Sequence, residues 1–379
     1  MSKTPLHALH DAGQSIWLDY IDRSLVRGGE LSRLIERDAL TGMTSNPTIF
    51  EKVLTDSDAY DDQLAAAPAT HTPWELFEMI ATDDVRDACD VFRGVYERSG
   101  HADGFVSIEV SPAAAHDIEE TLAEARRLWS LVDRPNVMIK VPGTRDGAVA
   151  ARRLIAEGIN VNITLLFALD AYGDIIEAYQ SGLEDRVRAG KPIDRLASVA
   201  SFFVSRVDTE VDRRIDARMA SASPADAERL RALHGRAAIA NAKLAYALCQ
   251  ERFSGQRWEA LKVAGARVQR PLWASTSTKN PAYRDVMYVE ALIGPDTVDT
   301  MPPQTIDAFR DHGVVTRTVD ADLDRERRAI ADLEALGISL ASVTDKLLVD
   351  GLASFQKSFD GLLERLALVS QGRSERSGR

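Results

Sequence analysis

Eight short apolar runs, each followed by turn residues and a longer helical pattern, recur along the 379-residue chain. They occupy residues 15–20 (SIWLDY), 41–46 (TGMTSN), 104–110 (GFVSIEV), 136–142 (NVMIKVP), 159–167 (INVNITLLF), 197–204 (ASVASFFV), 270–276 (RPLWAST) and 296–302 (DTVDTMP). Near-continuous apolar runs are the mark of strands buried on both faces, and strands alternating with helices imply parallel βα units. Eight such units predict an α/β chain closed into a (β/α)8 TIM barrel. A doubly wound sheet would more often carry a glycine-rich phosphate loop after its first strand, and neither GxGxxG nor GxxxxGK follows SIWLDY. Helical patterns fall at 113–132, 147–157, 168–189, 205–219 and 224–251. The long segment 50–103, helical around 74–96, and the segment after Pro303 read as helical additions to one barrel domain spanning 1–369. Apolar residues at helical spacing over 345–369, among them Leu347, Leu348, Leu352, Phe355 and Phe359, predict a C-terminal helix on the outside of the barrel. Residues 370–379, SQGRSERSGR, lack apolar content and are expected to form a flexible tail.

The composition has 45% apolar and 27% charged residues, enough apolar material for a large core. A formal charge of −12 without long basic runs disfavours nucleic-acid and anionic-membrane partners, so positive charges that meet an anionic substrate must be local. The two cysteines, Cys89 and Cys249, lie far apart and form no CxxC pair. Neither a disulfide framework nor a metal site is expected, and a reducing cytoplasm fits. The N-terminus lacks a signal-peptide pattern, and no apolar run reaches the roughly 20 residues of a membrane helix. Monomer and homodimer are both compatible with the sequence.

Within this pattern the run NVMIKVP is interrupted by Lys140. Such a lysine either extends its stem along the core and releases its ammonium into water, or stays desolvated as a nucleophilic amine able to form a Schiff base. A free lysine with a pKa of about 10.4 is neutral in only about one molecule in 2,500 at pH 7, so the second role requires burial or a cationic neighbour. Barrel active sites lie at the C-terminal ends of the strands, and polar residues fall there in this chain. Asp19 sits on the first strand, Thr44, Ser45 and Asn46 end the second, and Glu109 is on the third. Asn162 and Thr164 lie two apart, hence on one face, of the fifth. Ser201 with Arg206 follows on the sixth, and Ser275 with Lys279 on the seventh. Each has a structural alternative: an Asp or Asn at a strand end caps helices or starts turns, and a Glu pairs with a nearby cation. Together, an amine, two carboxylates, hydroxyls, amides and separate cations fit a polyhydroxylated, phosphorylated substrate such as a sugar phosphate.

The stretches WLDYIDR, GMTSNPTIF, SIEVSP, MIKVPGT, VNITLLF, ASFFVSRVD and WASTSTKNPAYRDVMYVEALIGPDTVDTMPPQT, in this order, resemble the transaldolase family, specifically its longer bacterial branch. The resemblance implies a cofactor-free transferase of the non-oxidative pentose phosphate pathway. It would move a dihydroxyacetone unit from sedoheptulose 7-phosphate or fructose 6-phosphate to glyceraldehyde 3-phosphate or erythrose 4-phosphate. By the same resemblance Lys140 forms the Schiff base, Asp19 is the acid/base of carbon–carbon cleavage, and Glu109 with Thr164 orients the catalytic water. Thr44, Asn46, Asn162 and Ser201 face substrate hydroxyls, while Arg206 and Ser275 bind phosphate. Where shorter transaldolases read Ser-Phe-Arg after the seventh strand, this chain reads Ser275-Thr276-Ser277-Thr278-Lys279. Lys279 then either supplies the second phosphate cation, as a point charge rather than a planar fork, or only closes the loop before Pro281. An aldolase that releases the three-carbon fragment, and a non-catalytic sugar-phosphate-binding barrel, are the competing readings.

Overall fold

The computed structural model describes residues 4–377, with side chains for residues 4–368. Its strands are β1 (Gln14–Asp19), β2 (Leu40–Thr44), β3 (Phe105–Glu109), β4 (Val137–Pro142), β5 (Val161–Leu166), β6 (Ser198–Phe203), β7 (Arg270–Ala274) and β8 (Thr297–Met301). Six lie within the predicted runs, and β1 and β2 each begin one residue before theirs. They pair in parallel in chain order, and β8 closes on β1 to complete the barrel. Helices follow the strands around it, as a parallel sheet covered on its outer face requires.

Register and alternation place the polar strand ends. Asp19 pairs across from Thr44, Glu109 from Lys140, Lys140 from Asn162, and Pro142 from Thr164. Below this layer Trp17 fills the barrel interior. A β-carbon at Gly42 would lie 2.5 Å from the indole, so the facing position on β2 admits only glycine without repacking. The indole Nε1 donates to Asp103 Oδ1 at 2.9 Å, and Arg270 lies 3.4 Å from the same oxygen. The buried polar atom is thereby satisfied, and the lower end of the barrel is closed by a charged pair.

The insertion between β2 and β3 contains the helix Pro73–Arg98, started by a reciprocal cap in which Glu75 N donates to Thr72 Oγ1 and Thr72 N to Glu75 Oε2. After Pro303 come the helices Pro303–His312 and Leu323–Ala335. Two expectations are corrected. The pattern over 224–251 is not one helix but two, Pro224–Arg231 and Ala237–Arg252, because Gly235 takes a φ of +65° between them. The C-terminal helix begins earlier than expected, at Leu340, and is described to Ser377. It does not keep to the barrel's outside. It contacts the helices Pro47–Asp56, Pro73–Arg98 and Ser205–Met219 and reaches β5 at the mouth. Phe359 stacks edge-on against Trp74 and Phe77, with ring centroids 5.3 and 5.7 Å away, and Thr48 Oγ1 donates to Ser358 Oγ at 2.9 Å. The expected tail at 370–379 falls on side chains outside the described residues.

Asp299, next to the inward Thr300 on β8, points the other way and is fully buried. Thr276 Oγ1 donates to its Oδ1 at 2.8 Å, while Oδ2 has no hydrogen-bond partner among the described residues. Burial pushes this carboxyl up to about 8 from its ordinary value of 3.8. The native chain therefore holds a proton that the unfolded chain releases, and the associated stability is complete at acid pH and lost as pH rises from about 4 through about 8. Asp299→Asn, an isostere of the neutral acid, is expected to flatten the decline of Tm across that range. A variant whose Tm falls with pH as steeply as the parent's would show that the acid is already ionised in the fold.

Candidate active site

The strand ends converge on a cavity of about 270 Å³ at the C-terminal mouth of the barrel, lined among others by Asp19, Thr44, Lys140, Thr164, Ser201 and Arg206. Lys140 projects from the middle of β4 and is almost wholly buried. Its Nζ donates to the carbonyl of Ser45 at 3.0 Å and lies 3.2 Å from Glu109 Oε2. The solvent-released ammonium is therefore not what the chain folds into: both stem and head are inside. Ser45 is held in turn by its Oγ donating to the carbonyl of Ser107 at 2.8 Å.

Glu109 Oε2 is close enough for an ion pair but is not aligned for a hydrogen bond, and Thr164 Oγ1 is likewise buried without a hydrogen-bond partner among the described residues. Buried polar atoms without a hydrogen bond are rare, and these two stand on β3 and β5, on either side of the lysine's strand. Burial raises the Glu109 carboxyl, against the pull of Lys140. Burial also raises Asp19, opposed by Lys140, by the hydrogen bond from Thr44 and by Arg206 and Lys279. Two carboxyls with elevated proton affinity thus flank one buried amine, a setting for moving protons.

Thr44 Oγ1 donates to Asp19 Oδ1 at 2.8 Å and lies 2.9 Å from Thr300 Oγ1. Asn46 serves two ends at once: its Oδ1 accepts from Ile49 N at 3.0 Å, capping the helix Pro47–Asp56, while the residue lines the cavity. Asn162 lies deeper. It is fully buried, its Nδ2 donating to Ser107 Oγ at 3.0 Å and its Oδ1 accepting from Ser201 Oγ at 2.7 Å, so it holds Ser201, which lines the cavity.

On the opposite wall, Arg206 begins the helix Ser205–Met219 and lays its guanidinium 4.9 Å from the ring centroid of Phe203. Among the described residues it makes no hydrogen bond or ion pair, although burial lowers its pKa and Asp19 and Glu109 pull it back up. Ser275 has a φ of +59°, a left-handed conformation unusual for serine, and its Oγ lies 3.0 Å from Ser205 Oγ. Lys279 Nζ donates to Ser277 Oγ at 2.8 Å. Its pKa is lowered by burial and then by Arg206, so the two cations share one region of the cavity.

The strand-end rule missed Thr300, although it lies in the eighth run, two residues after the inward Val298. Phe203, Ser277 and Phe355 also line the cavity. Phe355 comes from the C-terminal helix, for which no local pattern signals a place at the mouth. Among the described residues no group of three or more His, Cys, Asp or Glu side chains is placed to hold a metal ion, and no helix is long and apolar enough to cross a membrane.

A closed eight-stranded barrel with a buried amine, flanking carboxyls and convergent cations at its C-terminal mouth defines a barrel enzyme built for a carbonyl-bearing anion. The profile of the transaldolase/fructose-6-phosphate aldolase family matches residues 16–366. A transaldolase of Frankia alni is 47% identical over 376 residues, covering 99% of both chains. One of Thermobifida fusca is 48% identical over 366 residues, covering 96% of this chain and 98% of the other. A protein named transaldolase 2 from a Nostoc species is 45% identical over 371 residues, 97% of each. The chain belongs to the transaldolase/fructose-6-phosphate aldolase family. Its function is that of a transaldolase, a transferase.

Proposed function

We propose that Lys140 carries the three-carbon unit as a Schiff base while the cavity exchanges one aldose phosphate for another. The observation that supports this most is the burial of Lys140 Nζ at the cavity wall, 3.2 Å from Glu109 Oε2. In this reading the ammonium passes a proton to Glu109, whose carboxyl burial has already made a better acceptor, and the neutral amine attacks C2 of a ketose phosphate such as fructose 6-phosphate. The carbinolamine loses water to give an iminium. Glu109 and Thr164, on either side of the lysine's strand and each with an oxygen free of hydrogen bonds among the described residues, handle the proton and the departing water. Asp19 then takes the C4 hydroxyl proton, the C3–C4 bond breaks, and its electron pair enters the iminium to leave an enamine on Lys140. The aldose phosphate departs. A second aldose phosphate is attacked by the enamine carbon, Asp19 returns its proton to the new hydroxyl, and hydrolysis frees the lysine. Arg206 and Lys279 hold the phosphate, and Thr44, Asn46 and Ser201 the hydroxyls. The two buried free thiols suit work in a reducing cytoplasm.

Borohydride reduction in the presence of fructose 6-phosphate tests the reading. A reduced three-carbon adduct is expected on Lys140, and an unmodified Lys140 in folded, active protein overturns the mechanism. Without an acceptor, free dihydroxyacetone should form far more slowly than transfer proceeds. Release at the transfer rate would make the chain an aldolase instead.

A further inference from the structure

The stretch NPAYRDVMYVE, residues 280–290, belongs to the longest motif of the chain, yet none of it takes part in the chemistry above. It forms the end of the connection that leaves β7 and carries Ser275, Ser277 and Lys279 past the cavity. That connection is fastened repeatedly to the helix Ser205–Met219, whose second residue is Arg206. At its start, Ser205 N donates to the Ser275 carbonyl at 3.0 Å, beside the hydroxyl pair already described. Beyond Lys279, Tyr283 OH donates to Asp212 Oδ2 at 2.6 Å, and Tyr288 OH donates to Asp208 Oδ2 at 2.9 Å.

Asp208 and Asp212 stand one turn apart on the same helix face, where two carboxylates repel. Their remaining oxygens are met by backbone donors: Ala238 N, in the first turn of the helix Ala237–Arg252, gives to Asp208 Oδ1 at 2.7 Å, and Gly235 N gives to Asp212 Oδ1 at 3.0 Å. A helix N-terminus favours the negative charge. Gly235 also lets the phenol approach, since a β-carbon there would lie 2.8 Å from Tyr283 Cζ. The break in the expected helix over 224–251 thus lies where Tyr283 needs room.

We propose that Tyr283–Asp212, supported by Tyr288–Asp208, is a positioning pair that joins the Lys279 connection to the Arg206 helix, so that both cations meet the substrate phosphate as one anion site. The proposal rests on the reading of Lys279 as a phosphate cation. Tyr283 touches no reacting atom. Its removal should weaken recognition of the phosphate and leave the lysine chemistry alone.

The test compares the parent with Tyr283→Phe, Lys279→Met and the double variant, at saturating ketose donor, using glyceraldehyde 3-phosphate and unphosphorylated glyceraldehyde as acceptors. For Tyr283→Phe, KM for the phosphorylated acceptor should rise about fivefold with kcat within about twofold. Its kcat/KM for glyceraldehyde should be unchanged, and inhibition by inorganic phosphate should weaken by a similar factor. Lys279→Met should raise the same KM further, and adding Tyr283→Phe to it should change little more. If Lys279→Met leaves that KM unchanged, the reading of Lys279 falls and the proposal with it. If Lys279→Met raises KM but Tyr283→Phe does not, the positioning role falls and the cation reading stands. Equal losses with both acceptors, or additive effects in the double variant, also overturn it. Should Tyr283→Phe fold poorly, Tyr288→Phe is judged by the same ratio of acceptors.

Discussion

Lys140→Met is expected to lower kcat by about 10^4-fold or more, to abolish borohydride trapping and to leave a folded barrel. Methionine keeps the length and apolar character of the lysine stem in a strand where Met138, Ile139 and Val141 are fully buried. The difficulty for such a variant is Glu109, which loses the only cation within ion-pair distance among the described residues. Removing one member of a buried pair strands the other charge. Here burial already raises the carboxyl, and without the opposing pull of Lys140 it rises further, which makes protonation of the stranded carboxylate easier. Retention of more than about a hundredth of parental turnover would show that the covalent intermediate is not carried by Lys140.

Asp19→Asn separates bond cleavage from imine formation. The amide keeps the shape and still accepts from Thr44 Oγ1, which holds Asp19 at 2.8 Å. It cannot take the hydroxyl proton. Transfer is expected to slow by about 10^2- to 10^4-fold while borohydride still captures the lysine, now as an adduct of the intact six-carbon sugar. The size of the captured fragment, read by mass spectrometry, is the decisive measurement. A three-carbon adduct formed at the parental rate would assign the proton transfer to another group, with Glu109 the nearest candidate.

Much of this was legible because a parallel barrel buries both faces of each strand, so that polar side chains in the runs stand out. Lys140, Glu109 and Thr164 each interrupt apolar neighbours, and the register sets Glu109 level with Lys140 and Thr164 level with Pro142, two residues further along. Period two put Asn162 and Thr164 on one face, but not at one depth. Only the hydrogen bonds show that Asn162 lies behind Ser201 rather than beside it at the cavity wall. Asn46 could be read as a cap or as a site residue and is placed for both. What stayed hidden depends on contacts between distant segments. The apolar spacing of 345–369 shows that one face of a helix is buried but not what buries it, and so it did not place Phe355 at the cavity. Helical periodicity over 224–251 likewise outweighed the single Gly235, whose left-handed φ serves a tyrosine nearly fifty residues away.

The two cations differ in how they are held. Arg206 holds its guanidinium over the Phe203 ring at the start of a helix, whereas Lys279 stands on an irregular connection and carries its charge on a four-carbon stem. In the proposed mechanism the three-carbon unit is held at Lys140, and aldose phosphates of three and four carbons would present their phosphates at different reach. In that reading one contact at a helix start and one extensible contact let the same mouth take both, where the planar arginine of shorter transaldolases would set a single length.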